Sequence, residues 1–297
     1  MGAAAAAPTG SVCYRRNGMA AYDSEQIEQR RDRTLRRLPA LRVAGPRRAM
    51  QFLDDVGLAS LFAYRQLNLP CLWVAVCGRR DPHFPVHSHG DPELGLAWRL
   101  KDALPAAGRV FYAKLLRGKP TFVSWELFPA VYRLFGPRAD YRTAYRAGVL
   151  SPAARAILDA LHRRRPQETL ALKLGTNLAQ PSQRRVFDGA MAELQQTLRV
   201  CMVEARYDPG FTYVWDLVEA RHAARVRAAR RWRDGAAAQA VLRRVLAAVI
   251  AAPVRDAALL VGGAARATPA LAALARAGVI DAEARIAGRP GRWVVWR

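Results

Sequence analysis

The sequence predicts a mainly α-helical chain with small β-hairpins, an α+β arrangement of tandem winged helix-turn-helix modules. Three observations predict it. Residues 151–217 show three helical patterns followed by two strand patterns, residues 236–296 repeat that order, and residues 109–124 form a basic hairpin pattern. A length of 297 residues suits two or three small modules rather than one. Hydrophobic residues at 52% can build cores, which excludes a globally disordered chain, while only 8% aromatic residues imply helical cores of small side chains. The expected organisation is a disordered tail over 1–22, a helical, winged-helix-like module over 23–148, a central winged helix over 149–218 and a second winged-helix-like module over 219–297.

In chain order, SEQIEQRRDRTLRR (24–37) reads as a charged surface helix capped by Ser24. PRRAMQFLDDV (46–56) is a short amphipathic helix stopped by Gly57. Pro70 opens the apolar helix CLWVAV, which ends at Gly78, and a loop rich in Pro, His, Asp and Gly follows from Arg79 to Pro92. Leu94–Leu104 is helical. RVFYAKLLR (109–117) is β-prone, Gly118-Lys119 is a turn and PTFVS (120–124) returns, so this basic hairpin has the character of a wing. Helices over Trp125–Leu134 and Asp140–Ala147 close the region.

Ser151-Pro152 is an N-cap with proline at the first helical position, and Ile157, Leu158 and Leu161 face inward from the helix it opens. Glu168–Leu174 is a second helix. Ser182 caps a third, with Val186, Phe187, Ala190, Met191 and Leu194 at helical spacing. Strands 200–207 and 211–217 join through Asp208-Pro209-Gly210. In the last unit, Ala236–Ala251 is a helix, Pro253 opens a second and Thr268-Pro269 caps a third. Strands near 283–286 and 293–296 then flank Gly288-Arg289-Pro290-Gly291. Between the units, RHAARVRAARRWR (221–233) is a basic helix or linker.

Forty-seven Lys and Arg face twenty-four Asp and Glu, a balance of +23. Clustered guanidinium groups bind phosphates and release condensed counterions, so a polyanion, double-stranded DNA, is the expected partner. An Arg- and Ala-heavy composition also arises from a GC-rich genome, and only four of the basic residues are lysines: Lys101, Lys114, Lys119 and Lys173. Residues 1–50 carry +6, 51–150 +5, 151–218 +2 and 219–297 +10. Four cysteines without secretory context indicate a reducing compartment. No apolar run approaches the roughly 20 residues of a membrane span. No membrane partner is expected, the protein is read as a cytoplasmic, nucleoid-associated monomer, and Met19 offers an alternative start.

The candidate DNA contacts follow from these elements. Gln183, Arg184 and Arg185 open the helix that a winged helix inserts into the major groove, where Gln bridges adenine and Arg forks onto guanine; a solvated helix start is the alternative. Lys101, and Lys114, Arg117 and Lys119 near the first hairpin, suit phosphate contact. Arg227, Arg230, Arg231 and Arg233, with Arg225 and Trp232 among them, combine charge with stacking; a solvated charged helix is the alternative. His83, His87 and His89, flanked by Asp81 and Asp91 and preceded by Cys71 and Cys77, have metal-ligand chemistry but lie on a Pro-broken loop without a paired CxxC, so no metal and no cofactor is expected. Asp102, beside Lys101 and Trp98, and Glu126 are the candidate acids, each with a structural alternative. No Walker loop, Rossmann fingerprint or GxSxG elbow occurs.

The stretch FLDDVGLASLF (52–62), followed by LPCLWVAV (69–76), LAWRLKDALP (96–105), VFYAKLLRGKPTFVS (110–124) and YVWDLVEARH (213–222), resembles the AlkZ-related proteins of the AlkZ/YcaQ-like superfamily. The similarity runs from about Ala49 to His222. The resemblance implies a bacterial protein of tandem winged helices clasping DNA, with the hairpin near Lys114–Lys119 probing the duplex and a role in DNA repair. The glycosylase branch uses a Gln-x-Gln or Gln-x-Asp pair. The corresponding segment here, Gly57-Leu58-Ala59-Ser60-Leu61-Phe62, carries no amide or carboxylate at that spacing, and Gln66, Gln195 and Gln196 do not restore it. The leading expectation is therefore a DNA-binding protein of repair or lesion recognition. Its rivals are a winged-helix transcription regulator without enzymatic activity, a base-excision enzyme relying on Asp102, and a protein-interaction scaffold.

Overall fold

A computed structural model describes residues 14–16, 19–65, 67–85 and 90–297. Fourteen helices and three small sheets are found among them. The part of the expected tail that is described is not a tail: Tyr14–Arg16 (β1) pairs with Met19–Tyr22 (β2), and β2 extends a sheet by lying parallel to residues 285–286.

Helix α1 (Ser24–Thr34) is capped by Asp23, whose carboxylate accepts from the Gln26 amide at 2.8 Å, rather than by Ser24 as expected. Helix α2 (Pro46–Val56) ends at Gly57, held at φ +73°, where a Cβ would stand 2.5 Å from the Arg244 side chain, so only glycine turns the chain here. Strand β3 (Leu58–Ser60) follows at once and α3 (Leu72–Cys77) after it. Helix α4 (Pro92–Ala106) is capped by Asp91. β4 (Phe111–Lys114) and β5 (Pro120–Val123) complete a three-stranded sheet ordered β3-β5-β4. The third strand escapes a sequence reading because three buried residues are too short to show a period.

Helices α5 (Phe128–Phe135) and α6 (Tyr141–Arg146) lead into α7 (Pro152–Arg163), capped by Ser151 as expected. Strand β6 (Gln167–Glu168), α8 (Thr169–Gly175), α9 (Arg184–Gln196), β7 (Val200–Arg206) and β8 (Thr212–Leu217) form the central unit, its sheet ordered β6-β8-β7. Phe187, Ala190, Met191 and Leu194 of α9 are buried against Ile157, Leu158 and Leu161, but Val186 is exposed, at the flank of that face. Ser182 lies in a short 3-10 turn before α9 and does not cap it.

The remainder comprises α10 (Val218–Arg221), α11 (Ala223–Arg230), α12 (Asp234–Val249), β9 (Ala251–Pro253), α13 (Val254–Val261), α14 (Ala264–Arg276), β10 (Ile280–Ile286) and β11 (Arg289–Trp296). Its sheet runs β1-β2-β10-β11-β9. Thr268-Pro269 falls inside α14 rather than at its start. The cores do not follow the chain order of the units. One contiguous core joins Leu58, Phe111 and Val123 of the first sheet to α5, α12, α13 and α14, so the first and last thirds of the chain are packed as one body. Among the described residues no single helix is long and apolar enough to cross a membrane.

Candidate functional site

Helix α11 shows how one short segment presents charge. Val226 and Ala229 are buried and fix the helix against α5, which turns the intervening positions outward. Arg225, Arg227, Arg230, Arg231 and Arg233 are all exposed. Arg225 lies 4.1 Å from the Trp125 ring centre, while Arg227, Arg230, Arg231 and Arg233 have no carboxylate within ion-pair distance among the described residues. Trp232, expected to stack beside them, is instead partly buried against the core. His222 packs on Trp125 at 4.7 Å and on Phe111 and Phe128. Burial, with Arg225 and Arg221 adding repulsion, holds its imidazole down at about 4, so it is neutral near pH 7.

Arg230 lines a groove of about 510 Å³ together with Arg133, Arg138, Arg199, Tyr132 and Leu158. An adjoining cleft of about 390 Å³ adds Arg165 and Arg227 and shares His162, Leu217, Glu219 and Arg230 with the first. Arg133 and Arg138 are tied to Asp234 at 2.6 and 2.8 Å. Arg199 donates only to the Ala139 carbonyl, at 3.2 Å, and burial lowers its pKa, which marks a desolvated guanidinium without a carboxylate mate.

The first hairpin differs from the wing expected of it. Its turn is docked: the Lys114 amide donates to Gln195 Oε1 at 3.1 Å, and Lys119 Nζ sits 5.1 Å from the Tyr64 ring centre. Gln195 is therefore a buried strut, its amide also donating to the Met191 carbonyl. Lys114, Arg117 and Lys119 nonetheless keep exposed side chains. At the start of α9, Arg184 and Arg185 are exposed and Gln183 half-buried, with Arg184 reaching Asp188 at 3.7 Å. Neither arginine lines the groove that holds Arg227 and Arg230.

Lys101 is buried, 5% exposed, and so is not a cation offered to a backbone. Its ammonium meets Asp102 at 3.0 Å and donates to the Tyr213 hydroxyl at 2.5 Å. Asp102, 6% exposed, accepts in addition from Tyr213 at 3.0 Å and from Tyr207 at 2.5 Å. Burial first and Asp102 second push the Tyr207 hydroxyl up to about 12 and raise Tyr213 as well, so both remain donors. Around this pair stand rings that sequence reasoning did not gather: Phe62, Trp73 and Phe84 beside Trp98, and Phe211 beside Tyr207 and Tyr213. Tyr207, Phe211 and Tyr213, close together across one hairpin turn, were the visible signal.

Glu126 is exposed and pairs with Arg244, which gives it a structural role. In the segment Gly57–Phe62, Ser60 is buried and donates to the Pro70 carbonyl at 3.4 Å, while Phe62 joins the rings. His83 is exposed, and His87 and His89 lie outside the described residues, as does Gln66. No group of three or more His, Cys, Asp or Glu able to hold a metal occurs among the described residues. Cys71 and Cys77 are buried thiols pushed up by burial to about 11 and about 12.

Helix-and-hairpin units, packed into one α+β body with an arginine-rich groove, define the class. Residues 43–245 match the family described as AlkZ related, and the protein belongs to that family. No curated protein sequence matches it as a relative. Among solved structures it is similar to the Streptomyces sahachiroi DNA glycosylase AlkZ, with a TM-score of 0.56 and 13% sequence identity, over 93% of this chain and 70% of that one. At that identity the likeness is one of fold.

Proposed function

We propose that the protein binds duplex DNA and serves DNA repair by recognising lesions, with residues 23–148, 149–218 and 219–297 as winged-helix modules packed together to hold the duplex. Lys114, Arg117, Lys119, Arg184, Arg185 and the α11 arginines are the proposed contacts. The observation that carries this reading is the unmatched charge of α11 and of the turn that follows it. Four exposed arginines without acidic partners repel one another, and a phosphate backbone relieves that repulsion. Membership of the AlkZ-related family and the fold shared with a DNA glycosylase support it. Chromosomal DNA as partner implies a nucleoid location.

The test is binding of alkylated and unmodified duplexes at low ionic strength. Salt-sensitive binding that favours the damaged duplex is expected. A protein indifferent to DNA, or one with a large preference for a single operator over random sequence, contradicts the proposal. Base excision is a second reading, favoured by one observation: Asp102 is a buried carboxylate whose hydrogen-bond donor Tyr207 is itself exposed to solvent. Hydrolysis would leave abasic sites in alkylated DNA. Their formation by the wild type and loss in Asp102→Asn with DNA binding intact would support it, and undiminished formation in the variant removes Asp102 from any catalytic role.

A further inference from the structure

Nine large hydrophobic side chains are exposed among the described residues, and the four aromatic ones, Phe84 (50%), Trp98 (42%), Tyr207 (61%) and Phe211 (56%), lie on one continuous surface. The continuity is geometric. Phe84 and Trp98 both pack edgewise on Phe62, at 5.5 and 5.4 Å. Lys101 Nζ stands 4.6 Å from the Trp98 ring centre and 5.9 Å from that of Phe211, and so bridges the two halves. Phe211 continues to Tyr207 at 5.3 Å and Tyr213 at 4.9 Å. One half comes from Phe62 after β3, Phe84 in the loop between α3 and α4, and Trp98 of α4, the other from the β7–β8 hairpin, and the hydrogen bonds that Tyr207 and Tyr213 donate to Asp102 lock them together.

Rings held this way are rigid, so they bind flat partners with little loss of side-chain freedom. Their faces are apolar, and beneath them the buried Lys101 and Asp102 are bonded to each other and to the Tyr207 and Tyr213 hydroxyls. A nucleobase has matching chemistry, a flat π-face to stack on such rings. A base inside a duplex has both faces covered by its neighbours and cannot stack on protein. The fit is therefore to a base without a Watson–Crick partner.

We propose that this aromatic face binds an unpaired nucleobase of DNA, by stacking on Trp98 and Phe211, and that it gives the protein a preference for bulged or unpaired sites over continuous duplex. The proposal rests on the DNA-binding reading above. Because every base has a π-face, selection is for the unpaired state rather than for sequence.

The test compares the full chain on two probes, a matched duplex and the same duplex with one bulged 2-aminopurine. The bulged probe is expected to bind at least about tenfold more tightly, equivalent to about 1.4 kcal/mol, with quenching of its fluorescence as the base stacks. Trp98→Ala and Phe211→Ala remove the preference and the quenching while changing matched-duplex affinity less than about twofold. Trp98→Leu and Phe211→Leu, which keep apolar bulk and so protect the fold, do the same. Leu170→Ala, exposed on a different helix, leaves both intact. Equal binding of the two probes, or a preference that survives loss of both rings, overturns this proposal and leaves the duplex-binding reading standing. Absence of binding to either probe overturns both.

Discussion

Helices α1 and α11 are both short and arginine-rich, yet the fold uses their charge in opposite ways. Arg31, from α1, is buried and spans three partners: Glu28 at 2.6 Å, the Val249 carbonyl at 2.7 Å and the Ala251 carbonyl at 2.6 Å. Arg37 reaches Glu28 and Asp32, Arg80 reaches Asp32 and Glu25, and Arg289 crosses from the last sheet to Glu28. Arg31 fastens the first helix to the end of α12, Arg80 to the loop after α3 and Arg289 to the last sheet. Of those in α11, Arg225 lies over the Trp125 ring, while Arg227 and Arg230 face outward without a carboxylate. The two kinds also perturb their neighbours in opposite senses. Burial raises Glu28, but Arg31, Arg37 and Arg289 outweigh it and hold the carboxyl at about 2. The unmatched Arg225 and Arg221 join burial in holding His222 at about 4. Net charge in a sequence is thus a poor guide to a polyanion site until each arginine has been matched to its acid.

The comparison breaks first at Arg31. Replacing it with alanine takes a donor from two carbonyls and one of three arginines from the part-buried Glu28, and chemical denaturation should show a loss of about 3 kcal/mol. DNA affinity should stay close to wild type. A protein of undiminished stability would mean that this arginine is as idle in the fold as those of α11.

His222 sharpens the contrast through pH. Its folded pKa lies below its unfolded value of 6.5, so the unfolded chain binds the extra proton first. Its contribution is complete above pH 6.5 and declines as pH falls toward 4, by about 2 kcal/mol after allowance for its partial exposure. His222→Gln should flatten the stability profile across that window, measured by denaturation at half-unit steps. Glu28 acts lower, with stability lost as pH falls from 4.5 toward 2, so the two titrations separate. An unaltered profile in the His222 variant would contradict the burial argument.

The smallest effect is expected where charge is free. Arg227→Gln, Arg230→Gln, Arg231→Gln and Arg233→Gln combined should shift stability by less than about 1 kcal/mol, because exposed side chains without partners contribute little and their mutual repulsion is relieved. A loss of the size expected for Arg31 would show that α11 is held in place by these arginines.

Much of the architecture was legible. The spacing of Phe187, Ala190, Met191 and Leu194 gave α9, Ser151-Pro152 gave the start of α7, and the alternation around Asp208-Pro209-Gly210 gave the β7–β8 hairpin. Short or tertiary features were not. The start of α14 was missed because Thr268-Pro269 has the form of a helix opening, yet burial of Ala267, Ala270, Leu271 and Leu274 outweighs the one hydrogen bond proline forgoes. The common core of the first and last thirds has no local signature. Of the site, the arginine run of α11 was visible in the sequence as charge, but its lack of acidic partners was not. The burial of Lys101 and Asp102 was hidden, because Tyr213, which meets both, and Tyr207, which donates to Asp102, are more than a hundred residues away in the chain.

The most direct measurement is the affinity for a short random-sequence duplex as potassium chloride is raised, for the wild type and for the combined Arg227, Arg230, Arg231 and Arg233 to glutamine variant. If these arginines replace condensed cations on the backbone, the slope of log affinity against log salt should be shallower in the variant by roughly 3 to 4, about one for each phosphate no longer neutralised. An identical slope and affinity in the two proteins would contradict the account.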